Sequence, residues 1–318
     1  MGHERDGGRG AALGSQAEAR AALPVHLIGN VNLDIVMGPV EPWPAPGTER
    51  LVEHQEVRVG GAAGVAAMAL QALATPLRLH ARIGDDAFGA VVRDAMGPAG
   101  AQLETVRAGT AYSVGVTHPD GERTFLTYPG HLAALDVQAI AEELEGSQPG
   151  LVLVCGYFLL PSLRRGAGLE LVRLARSAGH RVLFDSGWPS EGFTDAVRGD
   201  LDALLPSLDD VLPNQAEALA WTGAARLEDA VERLQRSGAR AIVKRGPRGA
   251  SWLEGGELAS RAPPRVSVAD SVGAGDCFNA AFAAAVARGA SHAAAVEAAV
   301  RYASNVVQSR PRDYGGPA

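Results

Sequence analysis

Leu151-Val152-Leu153-Val154 is four apolar residues with no polar side chain among them. A helical stretch, Leu163–Ala178, follows, and then a second apolar run, Val182-Leu183-Phe184. A strand apolar at every position, not at alternate ones, is a strand covered on both faces, as in a parallel sheet. The same alternation continues on the C-terminal side. Val211-Leu212 leads into a helix from Asn214, Leu227–Ser237 reads as another helix, and Ala241–Lys244 as another strand. Strands alternating with helices imply βαβ units and an α/β fold.

Working back toward the N-terminus, Val25-His26-Leu27-Ile28 reads as a strand stopped by Gly29. Four prolines within residues 39–47 forbid regular structure there. Gly60-Gly61 opens an Ala-rich helical stretch to Ala74. Leu77–Ala81 reads as a strand and Phe88–Met96 as a helix. Residues 103–128 change character, with Thr, Val, Tyr and Phe spread around the turn signal Pro119-Asp120-Gly121, which is a β-hairpin pattern. Forward of residue 265, the extended stretch Arg265–Val268 precedes two Ala-rich helices, about 277–288 and 291–308. Residues 1–23 are polar and Gly-rich and read as a disordered tail. The expected organisation is therefore one α/β domain over residues 24–318. Its small β-rich excursion is built from about 34–58 and 105–128.

Composition removes several classes of function. The formal charge of −7 carries no basic stripe for nucleic acid. No run of about 18 apolar residues is free of charge, so no membrane span is expected, and the N-terminus shows no apolar signal core. Asp6 stands where myristoylation prefers Ser or Thr. With Cys155 and Cys277 as the only cysteines, a Cys-rich metal site is excluded and a cytoplasmic protein is expected. Of the 29 basic residues one is lysine, Lys244, and it is followed by Arg245. A Walker A loop needs Lys followed by Ser or Thr, so the chain has no P-loop.

Chemistry concentrates in Asp270-Ser271-Val272-Gly273-Ala274-Gly275-Asp276. Glycines at a helix start let a ligand approach the backbone. Free N–H groups and the helix dipole there favour an anion such as phosphate. Asp276 reads in two ways: a carboxylate favoured at a helix N-terminus, or a general base beside a phosphate cradle. A dinucleotide fingerprint is not met, since Phe278 takes the third glycine's place and the segment lies near the C-terminus.

These residues resemble motifs of the ribokinase-like (PfkB-type) carbohydrate kinases. Asp270–Asp276 resembles the family signature Asp-Thr-x-Gly-Ala-Gly-Asp, with Ser271 for Thr. Gly60-Gly61 resembles the N-terminal di-glycine, and Arg82-Ile83-Gly84-Asp85-Asp86-Ala87-Phe88-Gly89 the Gly-Asp-Asp segment. Asn214-Gln215-Ala216-Glu217 matches Asn-x-x-Glu, and Asn32-Leu33-Asp34 follows the first strand.

The resemblance, over about residues 25–312, implies a three-layer α/β/α ribokinase-like domain with a small β-sheet lid. It implies transfer of the ATP γ-phosphoryl to a hydroxyl of a sugar or sugar-like substrate, with a nucleoside as the alternative acceptor. Asp276 matches the catalytic base, and Gly273, Ala274 and Gly275 the anion hole. Asn32, Asp34, Gly60 and Gly61 match substrate-binding positions. Asn214, Glu217, Lys244, Gly246 and Gly249 match nucleotide-binding positions, with Glu217 organising the Mg of Mg-ATP through water. Asp270, with Ser309–Gly316, matches a monovalent-cation frame. The resemblance also implies a homodimer through the lid, whose exposed faces often mediate dimers in this family. Val65 stands where many relatives place Asn, so the pocket is expected to be apolar there, suiting a deoxy sugar, nucleoside or modified sugar. A non-catalytic sensor of the same fold is the reading from another class, and Asp276 with its intact Gly-Ala-Gly turn argues against it.

Overall fold

The computed structural model describes residues 21–119 and 123–315. Most of the expected N-terminal tail, and Asp120-Gly121 of the expected turn, lie outside them. Leu23, placed in the expected tail, is tied to the domain: its N–H donates to the Ala287 carbonyl at 2.9 Å.

Six parallel strands form the central sheet, in the order Arg240–Ala241, Asp210–Val211, Arg181–Phe184, Leu151–Val154, Val25–Ile28, Leu77–His80. Val25–Ile28 lies between Leu77–His80 and Leu151–Val154, with Leu27 level with Leu79 and Leu153. Successive side chains point to opposite faces, and each face has its own core. Val25, Leu27, Leu151, Leu153 and Leu183 pack with the helices Ala62–Ala72, Ala274–Ala287 and His292–Val306. Ile28, Val152, Val154, Val182 and Phe184 pack on the other side, with Val137–Gly146, Ala167–Ser177, Asp195–Leu204, Gln215–Thr222 and Leu227–Gln235. This two-sided covering is why the strands read as continuous apolar runs. Burial of one such Leu or Phe side chain stabilises by about 1.5–3 kcal/mol.

Several boundaries differ from expectation. The run 163–178 is not one helix. Arg165 (φ 58°) and Gly166 (φ 98°) break the chain between a short turn at Pro161–Leu163 and the helix Ala167–Ser177. Ala241–Lys244 divides between sheets: Arg240–Ala241 stays in the parallel sheet, while Val243–Lys244 pairs with a hairpin, Ala250–Glu254 and Glu257–Arg261. Glu104–Val106 pairs with Arg82–Gly84 instead of joining the small sheet.

The small sheet has four strands in the order His54–Gly60, Asn32–Gly38, Tyr112–Thr117, Arg123–Tyr128. Its registers align Arg58, Asp34, Ser113 and Thr127 in one row across all four strands. The adjacent row, on the opposite face, is Val57, Ile35, Val114 and Leu126. The first row is polar and the second apolar.

Candidate active site

In an open parallel sheet, ligands bind beyond the carboxyl ends of the strands. Here those ends deliver Asn30, Gly156, Asp185 and Asn214 to one cavity of about 1090 Å³. The small sheet contributes Asn32, Asp34, Ser113 and Phe125 to its wall, and the turn before Ala274–Ala287 contributes Gly273, Ala274, Gly275 and Asp276.

That helix begins at Ala274, three residues earlier than the expected start at Cys277, because Gly273 takes a left-handed turn (φ 74°) as its N-cap. A Cβ on Gly273 would lie 2.7 Å from Arg312 Nη1 and 3.1 Å from Val65. Asp276 is therefore the third helical residue. Of the expected cradle, the Ala274 N–H is engaged, donating to Ser271 O at 3.2 Å. The amides of Gly275 and Asp276, in the first turn, have no intrahelical acceptor. Burial first, and then the Asp185 carboxylate, push the Asp276 carboxyl up to about 7, against the opposing pull of Lys244 and Arg312.

Lys244 reaches this turn from the next strand. Its ammonium donates to Asp185 Oδ2 at 2.6 Å and to Asn279 Oδ1 at 3.2 Å, and it lies 3.5 Å from where a Cβ on Gly275 would be. Asn279 also donates to Asp185. Burial alone would lower the Lys244 pKa, but the carboxylates of Asp185 and Glu217 hold it above its ordinary value.

Asn214 and Glu217 form a capping box: Asn214 N donates to Glu217 Oε2 at 2.7 Å, and Glu217 N to Asn214 Oδ1 at 2.9 Å. Glu217 is no solvent-facing helix residue. It is buried on the cavity wall, and burial, then Asp185, pushes it up to about 7. Gly246 (φ 54°) opens onto the cavity with nothing within 4 Å of a Cβ, whereas one on Gly249 would fall 1.8 Å from Arg261 O. Gly249 is thus required by loop packing.

At the other end runs an amide ladder. Asn30 Nδ2 donates to Asn32 Oδ1 at 3.0 Å, and Asn32 Nδ2 to Asp34 Oδ1 at 2.8 Å. Burial pushes Asp34 up to about 6. The di-glycine lies against this ladder. A Cβ on Gly60 would sit 2.2 Å from Asp34 Oδ1, and one on Gly61 2.5 Å from Asn30 O. Gly61 lines the cavity, while Gly60 packs behind Asp34. Val65, which packs against Gly273, and Phe125 and Leu159 give the same cavity wall apolar patches.

Asp270 does not line the cavity. It precedes the turn, 3 % exposed, and accepts from Val272 N at 3.0 Å, from Arg58, and from Arg312 at 3.5 Å.

Sequence reading missed Asn30, Asp185, Asn279, Arg58 and Arg312. Asp185 carried a signal, an acidic residue directly after a buried parallel strand. The two arginines carried none, because their partner is far away in sequence.

The model of the pfkB family carbohydrate kinases matches residues 24–313. The chain belongs to that family. It is a carbohydrate kinase of the ribokinase-like fold. Among its pfkB relatives, a ribokinase of Arabidopsis thaliana is 27% identical over 90% of this chain and 76% of its own length. A 1-phosphofructokinase of Haloferax volcanii is 32% identical over 69% and 70%. An ATP-dependent ribose-1-phosphate kinase of Halopiger xanaduensis is 30% identical over 80% and 81%. The structure of the Arabidopsis thaliana ribokinase complexed with ribose and ATP superposes with a TM-score of 0.76 at 25% identity, covering 91% of this chain and 94% of that one.

Proposed function

We propose that this kinase transfers the γ-phosphoryl of Mg-ATP to a hydroxyl of an uncharged, sugar-like substrate, with Asp276 as the general base. The observation that carries this is the placement of Asp276. Its carboxyl shares the cavity with the first-turn amides of its helix at one end and the Asn32–Asp34 ladder at the other. A hydroxyl held by Asp34 and Asn32 would give its proton to Asp276 as it attacks phosphorus. The amides of Gly273, Gly275 and Asp276 would stabilise the charge developing on the transferred group, and Ala274 would shape the turn without donating.

Lys244 would stand beside the phosphates, with Asp185 and Asn279 fixing its direction. Gly246, Gly249 and Asn214 would shape the nucleotide's edge of the cavity. The site suits magnesium: Asp185, Glu217 and Asp276 crowd one ammonium, and their mutual repulsion marks a negative surplus that a dication would relieve. Glu217 would hold the ion through water; bound magnesium neutralises phosphate charge.

The substrate end decides the substrate class. Among the described residues, the cationic side chains on the cavity wall are Lys244 and Arg265. Neither belongs to the group of Asn30, Asn32, Asp34, Ser113, Val65 and Phe125. A phosphorylated sugar, the substrate named for two of the relatives, would find no cation of that group on the cavity wall: Arg58 and Arg312, whose charge reaches Asp34, lie off the wall and pair with Asp270. We therefore favour a neutral acceptor with one apolar face, a nucleoside or deoxy sugar. The small sheet would close over it as a lid and exclude water. The outward row Val57–Ile35–Val114–Leu126 would form a homodimer interface, since Val57 is 48% and Leu126 63% exposed. No helix among the described residues is long and apolar enough to cross a membrane, and the cytoplasm, where ATP is held, is the expected compartment.

ATP consumption measured against a panel of sugars, sugar phosphates and nucleosides tests the reading. A neutral substrate is expected to stimulate turnover, and Asp276→Asn to reduce it by about 10²–10⁴-fold. An unchanged rate in that variant removes Asp276 from its role. Binding without turnover would instead indicate a sensor.

A further inference from the structure

Family resemblance implies a monovalent cation beside Asp270, but the residues around it do not fit one. A cation needs a shell of oxygens. The space at Asp270 is taken by guanidinium groups: Arg58 from the small sheet and Arg312 from the C-terminal segment both pair with Oδ2. Arg312 is 4% and Arg58 12% exposed at the side chain. Arg58 Nη2 and Arg312 Nε are buried without an acceptor, so N–H donors, not lone pairs, crowd this spot.

The charges balance without an added ion. Glu56 bridges Arg58 at 3.4 Å and Arg310 at 3.3 Å. With Asp34, which lies across the strand from Arg58 and in the field of Arg58 and Arg312, the carboxylates of Asp270, Glu56 and Asp34 face the guanidiniums of Arg58, Arg310 and Arg312 one for one. The C-terminal segment is held in place for this. Tyr302 Oη donates to Tyr314 O at 2.8 Å, Asp313 N to Ser309 Oγ at 2.7 Å, and the Arg312 guanidinium lies 5.8 Å from the Tyr314 ring centroid. Arg312 Nη1 lies directly behind Gly273, against the turn whose amides open into the cavity.

We propose that Arg58 and Arg312 replace the monovalent cation at Asp270, making this kinase independent of potassium and coupling the phosphate turn to the small sheet. Neither arginine lines the cavity, so both are positioning residues: they set the turn's geometry and potential through Asp270. The inference rests on the phosphoryl transfer proposed above for its rate readout but not for its binding readout.

The full chain is assayed in potassium, sodium and choline chloride at equal ionic strength, for turnover and for thermal melting. Wild type is expected to show turnover equal within about twofold and no potassium-specific rise in melting temperature. Arg312→Met, which removes one of the two guanidinium charges beside Asp270 while leaving Arg58, is expected to lose about tenfold or more in rate and to regain part of it, with a melting shift, in potassium but not choline. Arg312→Lys keeps a charge and is expected to stay indifferent to potassium. Potassium-specific activation or stabilisation of wild type overturns the proposal. So does a folded Arg312→Met, checked by circular dichroism, that gains no potassium response. If no substrate supports turnover, the melting shifts still decide the cation question, and only the catalytic reading falls.

Discussion

Replacing Asp185 with Asn removes the negative charge that, after burial, does most to hold the Asp276 carboxyl near 7. The same substitution frees the Lys244 ammonium from its 2.6 Å partner and leaves it to act on Asp276. Both changes favour the ionised carboxylate, so the pKa of Asp276, the proposed base, must fall. With a pKa of about 7, the base is about 9% ionised at pH 6 and about 91% at pH 8, so kcat/KM in wild type should rise roughly tenfold across that interval. Loss of one like charge in a buried site moves a carboxyl by about 1–3 units. In Asp185→Asn the acid limb should therefore shift down by at least about one unit, and activity at pH 6, relative to the plateau, should climb from about a tenth to about half or more. The assay is kcat/KM for the acceptor from pH 5 to 9, each profile normalised to its own maximum. That normalisation separates the base's titration from any general loss caused by a misplaced Lys244. Glu217, also pushed up to about 7, is the control, and Glu217→Gln should retain an acid limb. A limb that stays in place in Asp185→Asn, or moves to higher pH, would falsify the assignment of the base to Asp276.

Three further outcomes follow from the same geometry. Val65→Asn places a hydrogen-bonding group on the cavity wall beside Gly273, and should move the kcat/KM ratio of ribose to 2-deoxyribose toward the hydroxylated sugar by about tenfold or more; an unchanged ratio would mean that no substrate hydroxyl comes near position 65. Leu126→Lys puts a charge in the exposed apolar row and should halve the mass measured by light scattering while melting stays nearly constant, whereas a wild type that is already monomeric would end the dimer reading. His80, stacked on His26 and buried, is pushed down to about 4 by desolvation. Its folded pKa lies below its unfolded value of 6.5, so the unfolded chain binds the extra proton and stability falls as pH drops through 6.5, reaching a loss of about 3 kcal/mol below pH 4. Urea titrations at pH 7 and pH 4.5 should show a smaller acid loss in His80→Gln than in wild type.

What could be read in the chain depended on how far each signal reaches. Val25–Ile28 and Leu151–Val154 were visible because a strand buried on both faces has no choice but to be apolar. Glu104–Val106 was assigned to the wrong sheet because its side chains are largely exposed, and its pairing with Arg82–Gly84 is a tertiary matter. The turn at Gly273 was visible because a left-handed glycine and a first-turn carboxylate are local requirements. Its helix start was still misplaced, since nothing in Ala274-Gly275 announces whether those residues are turn or helix. Asn214 and Glu217 were singled out by their motif, but not the reciprocal cap they form on the cavity wall. Arg58 could not be found at all: as one polar residue among several on a strand of the small sheet, it is distinguished only by an aspartate 212 positions away.

The single lysine has a practical consequence for chemistry carried out on the protein. Any reagent that acylates side-chain amines has one target in this sequence, and that target is clasped between Asp185 and Asn279 on the wall of the proposed nucleotide cavity. Labelling at Lys244 would therefore proceed only as fast as that clasp opens, and a nucleotide in the cavity would block it. The extent of modification, read on the peptide that carries Lys244, would measure site occupancy directly, with no tag or engineered residue. By the same logic, lysine acetylation cannot tune this polypeptide at its surface: every such event within the sequence would fall on the site itself.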